Sequence, residues 1–276
     1  MNMEFTAYIT AFGIIFWALA LAFSYKNHKK LIEKYNDDNN RNLISQKQSD
    51  SEKYWGIIRE KEDFFTLWAH QIKTPIAALR ALFDTSEEDT TEYRQELFRI
   101  ENYVEMALNY IRFDTMSGDM VLEEIYLDDI IKQVVKKYAP IFIHKHLAVK
   151  LDNLDMKVLT DEKWFSFVLE QILSNSLKYT NEGSVQIYAE GENCIIISDT
   201  GIGIRKEDIP RLFEKGFTGF NGRFDKKASG LGLYLCKGVC DKLGHNIRIE
   251  SETGKGTDVI ITLKKEQLKK DNLTKM

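Results

Sequence analysis

The chain has 276 residues, 43% of them hydrophobic and 29% charged, which suits two modest domains with attachments rather than one small module. A net charge of −4, with no basic stripe interleaved with aromatics, argues against a nucleic-acid binder. Cys194, Cys236 and Cys240 form neither a disulfide framework nor a zinc pattern and read as reduced, packed thiols.

Phe5 to Phe23 is an uncharged apolar run that, as a helix, would span about 28 Å, close to the hydrocarbon thickness of a bilayer. Tyr8, Trp17 and Tyr25 are interface-type residues. Lys26, Lys29, Lys30 and Lys34 follow the run, whereas only Glu4 is charged before it. The positive-inside rule then places the rest of the chain in the cytoplasm. A cleavable secretory signal is the competing reading, but the basic residues lie on the wrong side of the run for one. Residues 1–25 are therefore expected to be a single-pass anchor in the plasma membrane. The polar stretch 26–53 is a linker, either a solvated helix or a flexible spacer.

From Tyr54 the pattern turns helical. Phe65, Trp68, Ile72, Ile76, Leu79 and Phe83 make one apolar stripe, and after a polar loop at 84–91, Leu97, Ile100, Val104, Ala107 and Ile111 make a second. Two such helices form a hairpin that cannot bury both stripes alone. Pairing two hairpins as a homodimer gives a four-helix bundle. Residues 54–118 are assigned to this dimerisation domain, ending at Met116-Ser117-Gly118-Asp119. Within 119–266, helices are expected at Leu127–His144, Glu162–Tyr179, Lys206–Phe213 and Leu231–Leu243. Strands are expected at Leu147–Leu151, Val185–Ala189, Cys194–Ser198, Ile247–Ser251 and Val259–Leu263. Strands and helices do not alternate strictly, which favours α+β. Residues 267–276 are a charged tail. The fold class is thus a membrane-anchored α protein plus α+β, with an N-terminal transmembrane helix.

The first chemical constellation is Trp68-Ala69-His70-Gln71-Ile72-Lys73-Thr74-Pro75. His70 lies about 200° round the helix from Ile72 and so projects away from the apolar stripe. Thr74 shares its exposed face, one turn on. Pro75 removes the hydrogen bond to the carbonyl of Gln71 and should bend the helix beside His70. A neutral imidazole displayed there can act as a nucleophile at physiological pH. His28, His144, His146 and His245 have no comparable context and read as non-functional.

The string His-Gln-Ile-Lys-Thr-Pro resembles the H-box of histidine kinases, in which an acidic residue usually follows the histidine. The resemblance implies His70 as phosphoacceptor and Thr74 as the residue that positions water for the reverse, phosphatase reaction. Gln71 departs from the pattern; its amide oxygen can accept a proton from the ring and fix the tautomer, but it cannot serve as a base.

The second constellation is spread over four segments. Asn175 and Lys178 stand one turn apart on a helix, an amide oxygen suited to Mg²⁺ and a cation suited to phosphate. Asp199 ends a strand ahead of Gly201 and Gly203, where a carboxylate can accept from an adenine amino group and glycines let the backbone approach the base. Ser229-Gly230-Leu231-Gly232 opens a helix whose free N–H groups favour phosphate. Gly254-Lys255-Gly256-Thr257 turns between the last two strands. Between the glycine motifs, Leu212 to Arg223 carries three phenylalanines and reads as a mobile lid or an ordinary surface loop, with Lys215 and Arg223 as cations near it.

In this order the segments resemble the N, G1, F and G2 boxes of the Bergerat ATP-binding fold, shared by histidine kinases, Hsp90-type chaperones, type II topoisomerases and MutL-type repair proteins. The resemblance implies a C-terminal α/β-sandwich ATP-binding domain with ATP and Mg²⁺ as cofactors. Asn175 would be the Mg²⁺ ligand, Asp199 the adenine acceptor, Lys178 a phosphate partner and Tyr179 a neighbour of the base. Gly201, Gly203, Gly230 and Gly232 would line the nucleotide, with Thr257 supporting the adenine network. Gln171 stands where many relatives have a first Asn. A response-regulator aspartate would finally accept the phosphoryl group. The wording Phe-Glu-Lys-Gly-Phe-Thr-Gly with a following Asn-Gly-Arg is similar to that of the small intramembrane-sensing kinases. Those work with ABC transporters in responses to cell-wall-active peptides and usually have two transmembrane helices; one candidate span is legible here. Gln71 also leaves open a phosphatase-dominant protein or a scaffold of the same pathway. A chaperone- or topoisomerase-like ATPase would share the nucleotide boxes but gives no reason for the anchored His70 helix.

Overall fold

The computed structural model describes residues 44–84, 90–220 and 230–264, together with Trp17, Ala20, Leu21 and 23–27. The expected span Phe5–Phe23 lies mostly outside the described residues, as do Ser229, Arg223 and the tail. No helix among the described residues is long and apolar enough to cross a membrane. By internal contacts the chain divides into Met1–Glu62 and Asp63–Met276.

Helix α1 runs Ile44–Asp84, unbroken through Pro75, and α2 runs Thr90–Phe113. The expected stripe on α1 is rotated in the hairpin. Phe64, Trp68, Gln71, Pro75 and Leu79 are buried, Ile72 and Ile76 are half-buried, and Phe83 is exposed. On α2 the buried positions are Met106, Ala107, Asn109 and Tyr110, while Leu97, Leu108 and Ile111 stay exposed. The reason is geometric. On α1 the hairpin buries only the seam against α2, which is narrower than the full apolar surface, whereas Met106 on α2 is buried beside residues of the C-terminal domain. Specific contacts close the seam: the Phe64 and Tyr110 rings stack at 3.7 Å, and Trp68 Nε1 donates to the Tyr103 carbonyl at 2.7 Å. An aromatic pair of this kind contributes about 1 kcal/mol beyond its area.

After α2 comes a short helix, α3 (Met116–Asp119), anchored by the buried Met116. The C-terminal domain follows as β1 (Glu123–Tyr126), α4 (Leu127–His144), β2 (Ala148–Asp152), β3 (Lys157–Thr160), α5 (Glu162–Tyr179), β4 (Ser184–Glu190), β5 (Cys194–Asp199), α6 (Gly232–Leu243), β6 (Asn246–Glu252) and β7 (Gly256–Thr262). β2, β4, β5, β7 and β6 form one mixed sheet in that order, with only β2–β4 parallel; β1 and β3 pair separately. Helices α4 and α5 pack on it through Ile131, Val134, Leu169 and Leu173, which meet Ile187 and Ile197.

The helix expected at Lys206–Phe213 is not formed. Turns and a single 3₁₀ turn at Ile209–Arg211 take its place, because Pro210 cannot donate to a longer ladder. β1 and β3, four residues each and carrying Glu123, Glu124 and Lys157 outward, lack the apolar alternation that marks a strand.

Two capping devices fix α5, the helix that matters most to the site. Asp161 accepts from Trp164 N at 3.0 Å at its start, and from Val121 N at 2.9 Å. At its end Lys145 Nζ donates to the carbonyls of Leu177 and Thr180, at 2.6 and 3.0 Å. A cation at a helix C-terminus also suits the dipole.

Candidate active site

A cavity of about 230 Å³ opens beside α5, the end of β5 and the start of α6. It is lined by Asn175, Lys178, Tyr179, Asp199, Gly203, Gly230, Gly232 and Thr257 among others, so four segments far apart in sequence converge on one space. Gly201 lies behind this wall, buried.

Asp199 is the buried charge of the site, 7% exposed. Burial pushes its carboxyl above the ordinary carboxylate range. Hydrogen bonds from Gly201 N–H, the Ser176 hydroxyl and Thr257 N–H work against that push, and Asp258 adds to it. The Gly201 N–H lies 2.9 Å from Oδ1. Glycine is required twice in this corner. A Cβ on Gly203, at φ +67°, would overlap the Glu252 carbonyl, and one on Gly256, at φ +115°, would overlap the Asp199 carbonyl. The backbones touch there because no side chain intervenes.

Ser251 ties the corner together. Its hydroxyl oxygen accepts from Ile204 N at 2.9 Å, it donates to the Gly256 carbonyl at 2.7 Å, and it lies 2.9 Å from Thr257 Oγ1. Neither Ser176 nor Ser251 was anticipated from the sequence. The signal for Ser251 is its inward position in β6, two residues after Ile249 and four after Ile247, both buried.

The glycine-rich end of the site is the start of α6. Leu231 at its N-cap offers no side-chain acceptor, and Gly230, Gly232 and Leu233 line the cavity. With no side-chain cap at this end, the helix dipole makes it attractive to anions. The segment at 212–220 closes over it: Gly216 N donates to the Gly230 carbonyl at 3.0 Å, and Asp208 Oδ2 accepts from Phe220 N at 2.9 Å. The Phe217 and Phe220 rings carry the guanidiniums of Arg211 and Arg205 at 4.4 and 3.2 Å. Lys215 is directed to the hairpin, donating to Tyr110 Oη at 2.8 Å. Lys178 Nζ lies 5.2 Å over the Tyr179 ring.

His70 and Thr74 are exposed on α1 and do not line the cavity. Thr74 Oγ1 donates to the His70 carbonyl at 3.4 Å. Gln71, in contrast, is 4% exposed inside the hairpin, and its Oε1 has no hydrogen-bond partner among the described residues. The structure therefore does not bring Gln71 to the His70 ring, one position away but on another face of the helix.

Residues 160–267 match the family of histidine kinase-, DNA gyrase B- and HSP90-like ATPases. The chain is 32% identical over 224 residues to sensor protein BceS of Halalkalibacterium halodurans, covering 79% of this chain and 67% of that protein. It is 37% identical over 234 residues to sensor histidine kinase GraS of Staphylococcus haemolyticus, covering 82% and 67%. The chain belongs to the sensor histidine kinases. It is a protein-histidine kinase, with about two thirds of the length of these curated relatives represented. The kinase also shares its fold with the histidine kinase AdeS of Acinetobacter baumannii, at TM-score 0.51 and 21% identity, over 71% of this chain and 98% of that one. The matched ATPase segment begins at Thr160 and contains every residue of the cavity corner built on Asp199.

Proposed function

We propose that the kinase autophosphorylates His70 from ATP held in the Asp199 cavity and passes the phosphoryl group to an aspartate of a response regulator. The observation that carries this reading is the buried, hydrogen-bonded Asp199 carboxylate at the floor of a cavity walled by glycine backbone. A carboxylate so held accepts from the exocyclic amine of adenine and repels the carbonyl of guanine. Gly230, Gly232 and the α6 N-terminus receive phosphate oxygens, with Lys178 as a further cation.

The donor set fits Mg²⁺ bound mainly through phosphate and water. Asn175, at the cavity wall, would hold the ion through its amide oxygen, and among the described residues no cluster of three acidic, His or Cys side chains could hold a metal alone. When bound, the metal would neutralise charge on the triphosphate. His70, exposed and nucleophilic as neutral imidazole, forms a bond from Nε2 to the γ-phosphorus as the bond to the ADP oxygen breaks. Thr74, one turn away, would position water for the reverse reaction on the regulator.

A homodimer accounts for the apolar surface the single hairpin leaves open at Phe83, Leu97, Leu108 and Ile111. The run Phe5–Phe23 and the lysines after it support a membrane anchor with a cytoplasmic catalytic part. The likeness to intramembrane-sensing kinases supports envelope stress or antimicrobial peptides as stimulus and an ABC transporter as partner.

A second reading, a phosphatase-dominant or scaffold role with weak kinase output, is favoured by Gln71: the residue that follows His70 is an amide rather than a carboxylate, and it is buried. One experiment separates the two. The full chain in membranes is incubated with γ-labelled ATP. Acid-labile, base-stable label that is lost in both His70→Gln and Asp199→Asn supports the kinase cycle; label that never accumulates in the parent protein supports the second reading.

A further inference from the structure

Two side chains of the cavity wall come from outside the ATP-binding domain. Tyr103 and Met106, nearly one turn apart on α2, share the lining with Gln171, Ser174 and Asn175. Met106 is 6% exposed and Tyr103 half-buried.

Fastenings on either side hold α2 in this place. Towards its start, the Phe98 ring meets Tyr138 of α4 edge-on at 5.1 Å. Just past Tyr103, Lys137 Nζ bridges Glu105 of α2 and Glu170 of α5 at 2.8 and 2.7 Å. Glu170 is half-buried, and burial pushes its carboxyl up against the pull of Lys137. Towards its end, Lys215 donates to Tyr110 Oη, and its ammonium also lies 5.0 and 5.7 Å over the Tyr110 and Tyr234 rings. The Phe113 ring rests on Gly238 of α6, where an added Cβ would overlap it, and the Phe113 carbonyl accepts from Lys242. Tyr103 thus sits between clamps. Its own carbonyl is the acceptor for Trp68 Nε1, two residues before His70. One residue of α2 therefore touches both the cavity and the level of the hairpin that carries the exposed imidazole.

We propose that Tyr103 and Met106 are nucleotide-contact residues supplied by the hairpin, so that affinity for ATP depends on α2 docking against the ATP-binding domain of its own chain. This rests on the reading of the cavity as the nucleotide site. A ligand that touches both bodies binds the docked arrangement more tightly than the separated one, and docking and binding then strengthen each other by the same factor. An aromatic ring and a flexible thioether suit a wall that must re-form each time the domain returns. Lys215 links the segment closing over the cavity to the same helix, so the lid and the hairpin wall meet at Tyr110.

The test is isothermal titration of Mg·ATP into the full chain in detergent micelles. Tyr103→Ala/Met106→Ala is expected to weaken binding about tenfold, the scale of one lost aromatic contact. The conservative pair Tyr103→Phe/Met106→Leu keeps the wall and should stay within about twofold of the parent. Asp199→Asn, removing the adenine acceptor, serves as the reference for the site itself. If Met106→Ala prevents folding, Tyr103→Ala alone, half-buried and with its carbonyl bond to Trp68 intact, gives the answer at unchanged melting temperature of the nucleotide-free protein. Unchanged or tighter binding in the alanine variants, while Asp199→Asn weakens it about a hundredfold, overturns the hairpin wall and leaves the site standing. Binding undiminished in Asp199→Asn overturns the reading of the site.

Discussion

Asp199 and His70 occupy opposite physical settings in one protein. Asp199 is buried, receives three hydrogen bonds and is backed by glycines whose Cα atoms touch neighbouring carbonyls. His70 is exposed on a helix surface, with the Thr74 hydroxyl donating to its carbonyl. Under the proposed function the contrast would follow from their tasks. A group that recognises a base must be pre-placed and desolvated, because its value is in a fixed distance. A group that gives and receives a phosphoryl group must meet two different partners, and burial would deny it both. On that reading, burial and fixed hydrogen bonds are concentrated where the nucleotide would be read, and exposure where the phosphoryl group would travel.

That contrast can be broken most severely from the rigid side. Gly256→Ala places a Cβ on the Asp199 carbonyl at φ +115°, where no side chain is comfortable and backbone must move. A loss of about 4 kcal/mol is expected, read by denaturant unfolding. A nearly equal effect is expected from acid. His245 is 3% exposed, its Nδ1 accepts from Lys264 N at 3.3 Å, and its Nε2 lies 3.0 Å from Thr160 Oγ1. Burial, with Lys264 adding a smaller push, lowers its pKa from 6.5 to about 4. Between those values the unfolded chain binds a proton that the folded chain refuses, so stability falls as pH drops from about 6.5 to about 4 and this contribution levels off below. The total is about 3 kcal/mol. Unfolding midpoints measured across that range check it, and His245→Gln should flatten the slope.

Asp199→Asn comes next. It retains shape but loses the charge, and ATP affinity should fall about a hundredfold, the scale of a lost hydrogen bond to a charged group, by titration. The smallest effect sharpens the comparison from the hairpin side. Gln71 buries an oxygen with no partner among the described residues, so Gln71→Leu should be neutral or stabilise by about 1 kcal/mol. Its labelling rate measures the orienting role directly: a rate equal to the parent's removes Gln71 from the mechanism, and a slower one restores it.

Much of the catalytic domain was legible because its helices and inner strands carry clear periodicity. The expected bounds of α4 and α5 coincide with those observed, and each of the five main strands lies within three residues of its expected start. The cavity was legible as four separated motifs because each needs a residue type with a narrow chemical use: Asn175, Asp199 and the glycines. What the sequence concealed is contact across distance. Ser176 and Ser251 are ordinary serines until folding turns them towards Asp199 and Thr257. Tyr103 and Met106 look like bundle residues until α2 meets the domain. The rotated seam of α1 was concealed for the opposite reason. Its apolar surface is wider than one hairpin can bury, so periodicity fixed the face only to within about one residue of rotation. The face beside His70 was read correctly for the histidine and not for its neighbour Gln71, which a single step round the helix carries inside.

The most direct test is to locate the phosphoryl group. Full-length protein is incubated with Mg·ATP, digested at alkaline pH and mapped by electron-transfer mass spectrometry. The account predicts one phosphohistidine, at His70, absent from Asp199→Asn protein. Phosphate on another side chain, or on His70 in protein that cannot hold the nucleotide, would contradict it.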